Sequence, residues 1–375
     1  MSSAPLTPPF TGPVAITLPG GVLHLDVARS LMPLDALCAF AVRRNARRSF
    51  LIVSKVLGRH LPARPCAMRA AASGLAALIP ADLPEPMLVI GLAETAVCLG
   101  QSVHEELARL GREAAFVHST RQQDDHPLLG RFDEPHSHAA SHLVYRPRGV
   151  DLGALRSLVL VDDEVSTGTT LANLSRALVA ALPGVERIAL ASLTDWSGGS
   201  GWLARLPRPA ESVSLLAGCL RWQPGPAPVE GEPEPPAADA FGTMPAPDFG
   251  RLGATGPFAL PDPPALAPGE KLRIVGTGEF TYPPFLLAER LEQEGHDVVV
   301  QAASRSPVRV GGPIATALAF RDNYGAGVPN YLYNAAGGRR TIVCHETPPG
   351  SVDPELIAAL GATALYFEGG RPCAR

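Results

Sequence analysis

Short apolar runs alternate with amphipathic stretches along the first part of the chain. Val14 to Asp26 reads as extended, with a turn at Pro19-Gly20-Gly21, and Leu34 to Arg44 has helical spacing. Phe50 to Val53 and Met87 to Ile90 are apolar runs of strand length. A helix is predicted from about Leu99 to Leu110, then a strand over Ala114 to His118. Leu158 to Val161 and Arg187 to Leu193 read as further strands, with a helix over Leu171 to Leu182 between them. Ser212 to Trp222 adds one more strand. Strands that alternate with helices predict an α/β fold, a mostly parallel sheet with helices on both faces.

The pattern breaks at Gln223. From there to Glu270 the chain is dense in Pro and Gly, with an acidic stretch at Glu230 to Glu234, which predicts an extended linker with little core. Order resumes at Lys271. Leu272 to Val275 reads as a strand, Pro284 to Glu294 as a helix and Asp297 to Val300 as a strand. The expected division is a loose tail at 1–13, a large α/β domain at 14–223, a Pro-rich linker at 224–270 and a smaller α/β domain at 271–375.

Composition narrows the function classes. The 375 residues suffice for two domains that each bury a core. A net charge of −4 argues against general nucleic-acid binding. Lys55 and Lys271 are the only lysines, so nearly every cation is Arg, and a single Arg is weaker evidence for a site. The six cysteines are scattered without a Cys-x-x-Cys, which fits reduced thiols better than a disulfide framework or a zinc site. Residues 1–13 lack a secretory pattern, and no apolar run is long enough to span a bilayer. The expectation is a cytoplasmic protein with no membrane partner.

The densest chemistry lies in Val161-Asp162-Asp163-Glu164-Val165-Ser166-Thr167-Gly168-Thr169-Thr170. An apolar strand runs into three acids, then a loop of small and hydroxyl residues, then a helix. Amides and hydroxyls at a helix N-terminus suit a phosphate dianion, and Gly168 permits a close backbone approach. Asp162 and Asp163, at a strand's carboxyl end, can accept from vicinal hydroxyls. A receiver domain also opens on Asp-Asp, but it needs a later Lys, and here the next is Lys271 beyond the Pro-rich stretch. An ordinary solvated turn is the other bland reading.

The ordered run resembles the 5-phosphoribosyl-1-pyrophosphate (PRPP) motif of type I, orotate-type phosphoribosyltransferases. The resemblance implies a type I phosphoribosyltransferase-like parallel sheet flanked by helices. It assigns Asp162 and Asp163 to the ribose hydroxyls, and Ser166, Thr167, Gly168, Thr169 and Thr170 to the 5′-phosphate. Glu164 lies near the departing or attacking group. Gly91, Ala93, Glu94 and Thr95, between a strand and a helix, lie where the pyrophosphate loop of this superfamily should be; Glu94 is a poor direct diphosphate ligand because like charges repel. A polar stretch from His118 to Tyr145 resembles the loop that closes over PRPP. Relatives often carry Lys there, and Arg121 is the natural substitute, with Lys55 and Arg59 as further cations. His136 and His138 are lid or acceptor-binding expectations, favoured over a zinc site. Mg²⁺ is expected as the cofactor, held through PRPP and not by direct protein ligation.

The second half resembles the TRSP domain, named for a Thr-Arg-Ser-Pro motif that appears here as Ser304-Arg305-Ser306-Pro307. That resemblance implies a setting in tellurite-resistance-associated gene clusters and a nucleoside-like product. The halves also echo each other. Gly91-x-x-Glu94 recurs as Gly276-x-x-Glu279, Thr120-Arg121 as Ser304-Arg305, and the acid run as Cys344-His345-Glu346, which suggests a shortened repeat with a retained cleft. The expected activity joins PRPP to an unidentified nucleophilic acceptor with release of pyrophosphate. The alternatives are a PRPP- or nucleotide-sensing regulator and the reverse reaction. A homodimer is a further expectation.

Overall fold

The computed structural model describes residues 10–43, 49–133, 141–225, 240–254 and 258–368. The chain enters as an antiparallel hairpin, β1 (Gly12–Leu18) and β2 (Gly21–Ser30). One helical turn, α1 (Leu34–Leu37), gives way to β3 (Cys38–Val42), which pairs antiparallel with β4 (Phe50–Ser54). The helical spacing over 34–44 thus resolves into a turn and a strand. Ala41 and Val53 of this pair are buried with Val308, Ile314 and Tyr333 of the second half, a long-range contact that overrides local spacing.

Next comes α2 (Pro65–Ala76), which sequence reading passed over, with Pro65 at its first position and an Ala-rich body. β5 (Met87–Gly91), α3 (Val97–Arg109) and β6 (Ala114–His118) form a βαβ unit. A short β7 (Gln122–Gln123) leads to the hairpin β8 (Leu128–Asp133) and β9 (Ser141–Tyr145). Then follow β10 (Ser157–Val165), α4 (Thr169–Ala181), β11 (Arg187–Asp195), a 3₁₀ turn at Ser200–Arg205 and β12 (Ala210–Pro224).

The main sheet has the order β1-β2-β12-β11-β10-β5-β6. It is parallel from β12 to β6 and antiparallel where β2 and β1 complete the edge. Met87 to Ile90 and Leu158 to Val161 are fully buried, as expected of central strands covered on both faces. From β5 the chain crosses to β6, and from β10 it crosses the other way to β11. Right-handed crossovers in opposite directions put α3 and α4 on opposite faces. The order reverses between β5 and β10, and that is where an open α/β sheet binds its ligand. β5 stops at Gly91, opposite Val161, whereas β10 runs on beside β11 to Val165. The step so formed exposes Asp162, Asp163 and Glu164.

The expected linker carries more core than its Pro and Gly content predicts. Within 224–270, Met244, Phe249, Arg251 and Leu252 are buried. β13 (Gly242–Thr243) pairs with β7, and Phe249 meets Phe280 edge-on at 4.8 Å. These partners are remote in sequence, so the stretch reads as solvated when taken alone.

The second half proper comprises β14 (Lys271–Gly276), α5 (Tyr282–Gln293), β15 (Asp297–Ala302), the hairpin β16 (Ala317–Arg321) and β17 (Pro329–Tyr333), β18 (Arg340–His345), α6 (Pro354–Leu360) and β19 (Thr363–Tyr366). Its parallel sheet has the order β15-β14-β18-β19. The two halves are welded where α5 meets α2 and α3. Arg69 bridges Glu289 and Glu105 at 2.8 and 2.9 Å, and the Tyr282 hydroxyl donates to Glu105. Among the described residues, no helix is long and apolar enough to cross a membrane.

Candidate active site

One cavity gathers most of the chemistry expected from sequence. Asp162, Asp163 and Glu164 line it, together with the loop from Val165 to Thr170, the turn Leu92 to Thr95, and Arg121. The Asp163 carboxylate accepts from the Thr95 hydroxyl at 2.8 Å, and Asp162 accepts from the Asp163 amide at 2.9 Å. The acid pair is thereby oriented by both sides of the sheet's switch point.

The loop after β10 is shaped for an anion. Gly168 adopts φ 70° and, as the residue before α4, supplies no side-chain cap; within the first turn the Thr169 amide has only a long contact, 3.4 Å, to the Thr167 hydroxyl. The helix's other leading amides and its dipole therefore face the cavity. The loop rests on Trp202, and a Cβ at Gly168 would run into the indole ring. Arg205 donates to the Thr167 carbonyl at 2.9 Å, and the Trp196 amide donates to the Val165 carbonyl at 2.8 Å. Both contacts clamp the loop from outside without using its amides.

On the β5 side, Gly91 lies against Gly100 of α3, and neither position has room for a Cβ. The turn that follows carries a cis peptide between Ala93 and Glu94. The Ala93 amide donates to the Ser119 hydroxyl at 2.8 Å, and that oxygen lies 3.2 Å from His142 Nδ1. Arg121 Nη2 lies 2.9 Å from His142 Nε2. A chain of contacts thus links Arg121, the β8–β9 hairpin and the turn after β5.

The rest of the cavity's wall comes from the β3–β4 region, with Arg43, Ser54, Arg59 and His60, and from the second half. Ser304, Arg305 and Ser306 line it. Glu94 accepts from the Arg305 amide at 3.2 Å, and its carboxylate lies 3.8 Å from Arg59 Nη1 and 3.9 Å from Arg305 Nε. Two guanidinium groups therefore neutralise the acid that looked unsuited to a diphosphate loop. Arg59 is buried and donates to the Gly278 carbonyl at 2.9 Å, and also to the carbonyls of Ala303 and Glu94. Burial lowers its pKa. It ties the halves together where sequence reading left it as a surface charge or helper cation.

Lys55 is not brought to the cavity. Its side chain is exposed and donates to the Asp35 carbonyl at 2.6 Å, because the chain turns outward after β4. His136 and His138 lie outside the described residues. Sequence reading missed Arg43, which lines the cavity, and the approach of the Ser304-Arg305-Ser306 segment. The recurrence of Thr120-Arg121 as Ser304-Arg305 was the available signal for that approach.

Comparison with known proteins agrees with this geometry. Residues 37–219 match the model of a family described as phosphoribosyl transferase, and residues 263–360 match that of the TRSP domain, described as C-terminal to it. With the sheet order and the cavity, the first match defines the class: a phosphoribosyltransferase, one of the glycosyltransferases. The two matches in succession give a phosphoribosyl transferase domain followed by a TRSP domain. No curated protein matches the chain. Among solved structures, the adenine phosphoribosyltransferase of Giardia lamblia complexed with 9-deazaadenine is 18% identical, with a TM-score of 0.35, over 49% of this chain and 97% of that one. The adenine phosphoribosyltransferase of Rhodothermus marinus is 18% identical, with a TM-score of 0.32, over 48% and 94%. The orotate phosphoribosyltransferase of Aeropyrum pernix is 20% identical, with a TM-score of 0.28, over 44% and 79%. Likenesses of this size carry no argument about the substrate.

Proposed function

We propose that the protein transfers a 5-phosphoribosyl group from PRPP to a nitrogen nucleophile and releases pyrophosphate. The carrying observation is the acid pair Asp162-Asp163 beside the uncapped start of α4 in one cavity. The 5′-phosphate sits on the amides and hydroxyls of Ser166 to Thr170. Asp162 and Asp163 accept from the ribose hydroxyls. The diphosphate lies toward the turn Gly91 to Thr95 and Arg121. As the C1–oxygen bond breaks and the C1–nitrogen bond forms, charge grows on the departing diphosphate, and Arg121 donates to it. Glu164 accepts the proton that the acceptor nitrogen releases.

Mg²⁺ fits this site as a companion of the donor. The carboxylates of Asp162, Asp163 and Glu164 line the cavity and offer hard oxygen atoms beside the donor. Bound with PRPP, it would neutralise part of the diphosphate charge. The nucleoside-like product of a tellurite-resistance setting is supported by the order of the two domains and the Ser304-Arg305-Ser306-Pro307 segment.

The test follows pyrophosphate release from PRPP and Mg²⁺ with a mixture of nucleobases and a small-molecule cell extract. Release that an Asp162→Asn/Asp163→Asn double variant loses is expected. PRPP binding without release above that variant would instead identify a sensor.

A further inference from the structure

The halves correspond position by position through their hydrogen bonds. The order β6-β5-β10-β11 in the first matches β15-β14-β18-β19 in the second. Gly91 lies opposite His118 and Val161, and Gly276 lies opposite Ala302 and Cys344. One residue on, the Ser119 amide donates to Gly91, and the Ala303 amide donates to Gly276, each at 3.0 Å. Thr120 then bridges to Leu143, and Ser304 bridges to Tyr331. This register equates Arg121 with Arg305, and Asp162-Asp163 with His345-Glu346.

The contacts between halves are reciprocal. Glu279 accepts from the Arg121 amide at 2.7 Å, and Glu94 accepts from the Arg305 amide at 3.2 Å. Each Glu lies three residues after its equivalent Gly. The Ala63 amide donates to Val300 on β15 at 3.0 Å, and the Ala254 amide donates to Phe116 on β6 at 3.3 Å. Gly58-Arg59 and Gly250-Arg251 precede those contacts, and both glycines have positive φ. A swapped, mutual arrangement of this kind is what two copies related by a two-fold axis produce.

The second cleft differs in what fills it. Arg251 donates to Glu346 at 2.6 and 2.8 Å and to Glu279 at 3.1 Å, and the Tyr324 hydroxyl donates to Glu346 at 2.7 Å. At the start of α6, where a phosphate would sit, the Asp353 carboxylate accepts from the Glu355 amide at 3.0 Å. Pro348, Pro349 and Pro354 remove amide donors nearby. An internal guanidinium and an internal carboxylate thus stand at the ribose and phosphate positions.

We infer that the second half is a duplicated copy standing where a second protomer would. Its Arg305 binds the donor's diphosphate in the first half's cavity, and its own cleft takes no ligand. This rests on reading the first cavity as the PRPP site. The Arg305 side chain is about one-tenth exposed on the cavity wall, and its Nη1 donates to the Ala240 carbonyl at 3.1 Å.

Calorimetric titration of the full chain with ribose 5-phosphate, and separately with Mg²⁺ and inorganic pyrophosphate, tests it. Wild type is expected to bind one ribose 5-phosphate per chain. Arg305→Ala should weaken pyrophosphate about 10- to 100-fold, as for a lost charged hydrogen bond, and leave ribose 5-phosphate within about twofold. Arg305→Lys should recover part of the loss. Two ribose 5-phosphates per chain, or pyrophosphate affinity unchanged in Arg305→Ala, would overturn the inference while leaving the PRPP site standing. Loss of both ligands in Arg305→Ala and Arg305→Lys alike would make Arg305 structural and overturn it too. Wild type that binds neither ligand would remove the donor reading and this inference with it.

Discussion

Arg121 Nη2 lies 2.9 Å from His142 Nε2, in a buried setting. A guanidinium can only donate, so Nε2 must accept and the imidazole proton sits on Nδ1. That proton points at the Ser119 oxygen, which also accepts from the Ala93 amide. His142 is therefore a positioning residue for the cation proposed to meet the leaving group. His142→Ala should lower kcat about tenfold or more with KM little changed, since misplaced groups cost rate more than binding. His142→Gln keeps an acceptor and should restore part of the rate. Equal loss in both variants, or a change confined to KM, would contradict this role.

Gly168 is pressed onto Trp202 with φ 70°. Gly168→Ala should cost about 1–2 kcal/mol from the left-handed backbone and the displaced ring. It should also abolish ribose 5-phosphate binding, because the loop must move. Trp202→Ala added to it should recover some binding, and the backbone strain should keep that recovery partial. Titration of the three variants checks this.

Glu279 joins the halves, and its titration sets a pH limit. Burial raises its pKa, but Arg251, His118, the Thr120 hydroxyl and the Arg121 amide outweigh that and hold it at about 2. A depressed folded pKa means stability that is fully present above the unfolded value of 4.5 and is lost as pH falls through about 2. Thermal melts should therefore fall between about pH 4.5 and 2, by on the order of 3 kcal/mol from this group. Glu279→Gln should flatten that slope. An unchanged slope would remove Glu279 as its source.

Lys55 stands apart from the acid pair. It is outside the cavity, held by the Asp35 carbonyl. Lys55→Ala should leave pyrophosphate release and PRPP affinity within about twofold, as for exposed side chains away from special features. A loss of tenfold would return Lys55 to the site.

The parallel sheet was readable because buried central strands need continuous apolar runs, and Met87 to Ile90 and Leu158 to Val161 supply them. The phosphate loop was readable because its chemistry is local: acids, a glycine and hydroxyls lie within nine residues of Asp162. The helix at Pro65–Ala76 escaped notice because alanine, which sits on either face of a helix, makes up half of its buried stripe, Ala71, Ala72 and Ala76 beside Pro65, Met68 and Leu75. The stretch 240–254 escaped because its burial depends on partners more than twenty residues away.

By itself the sequence determined the strand–acid–loop–helix unit, since a short peptide can encode an anion cradle. Only the tertiary structure decided which cations reach that cradle. Lys55, near a strand end, turns away; Arg305, more than a hundred residues further on, is carried in by a second sheet. Tertiary structure likewise decided that Arg251 fills the second cleft. Charges act through space, and their distances are set by packing between halves that no local pattern records.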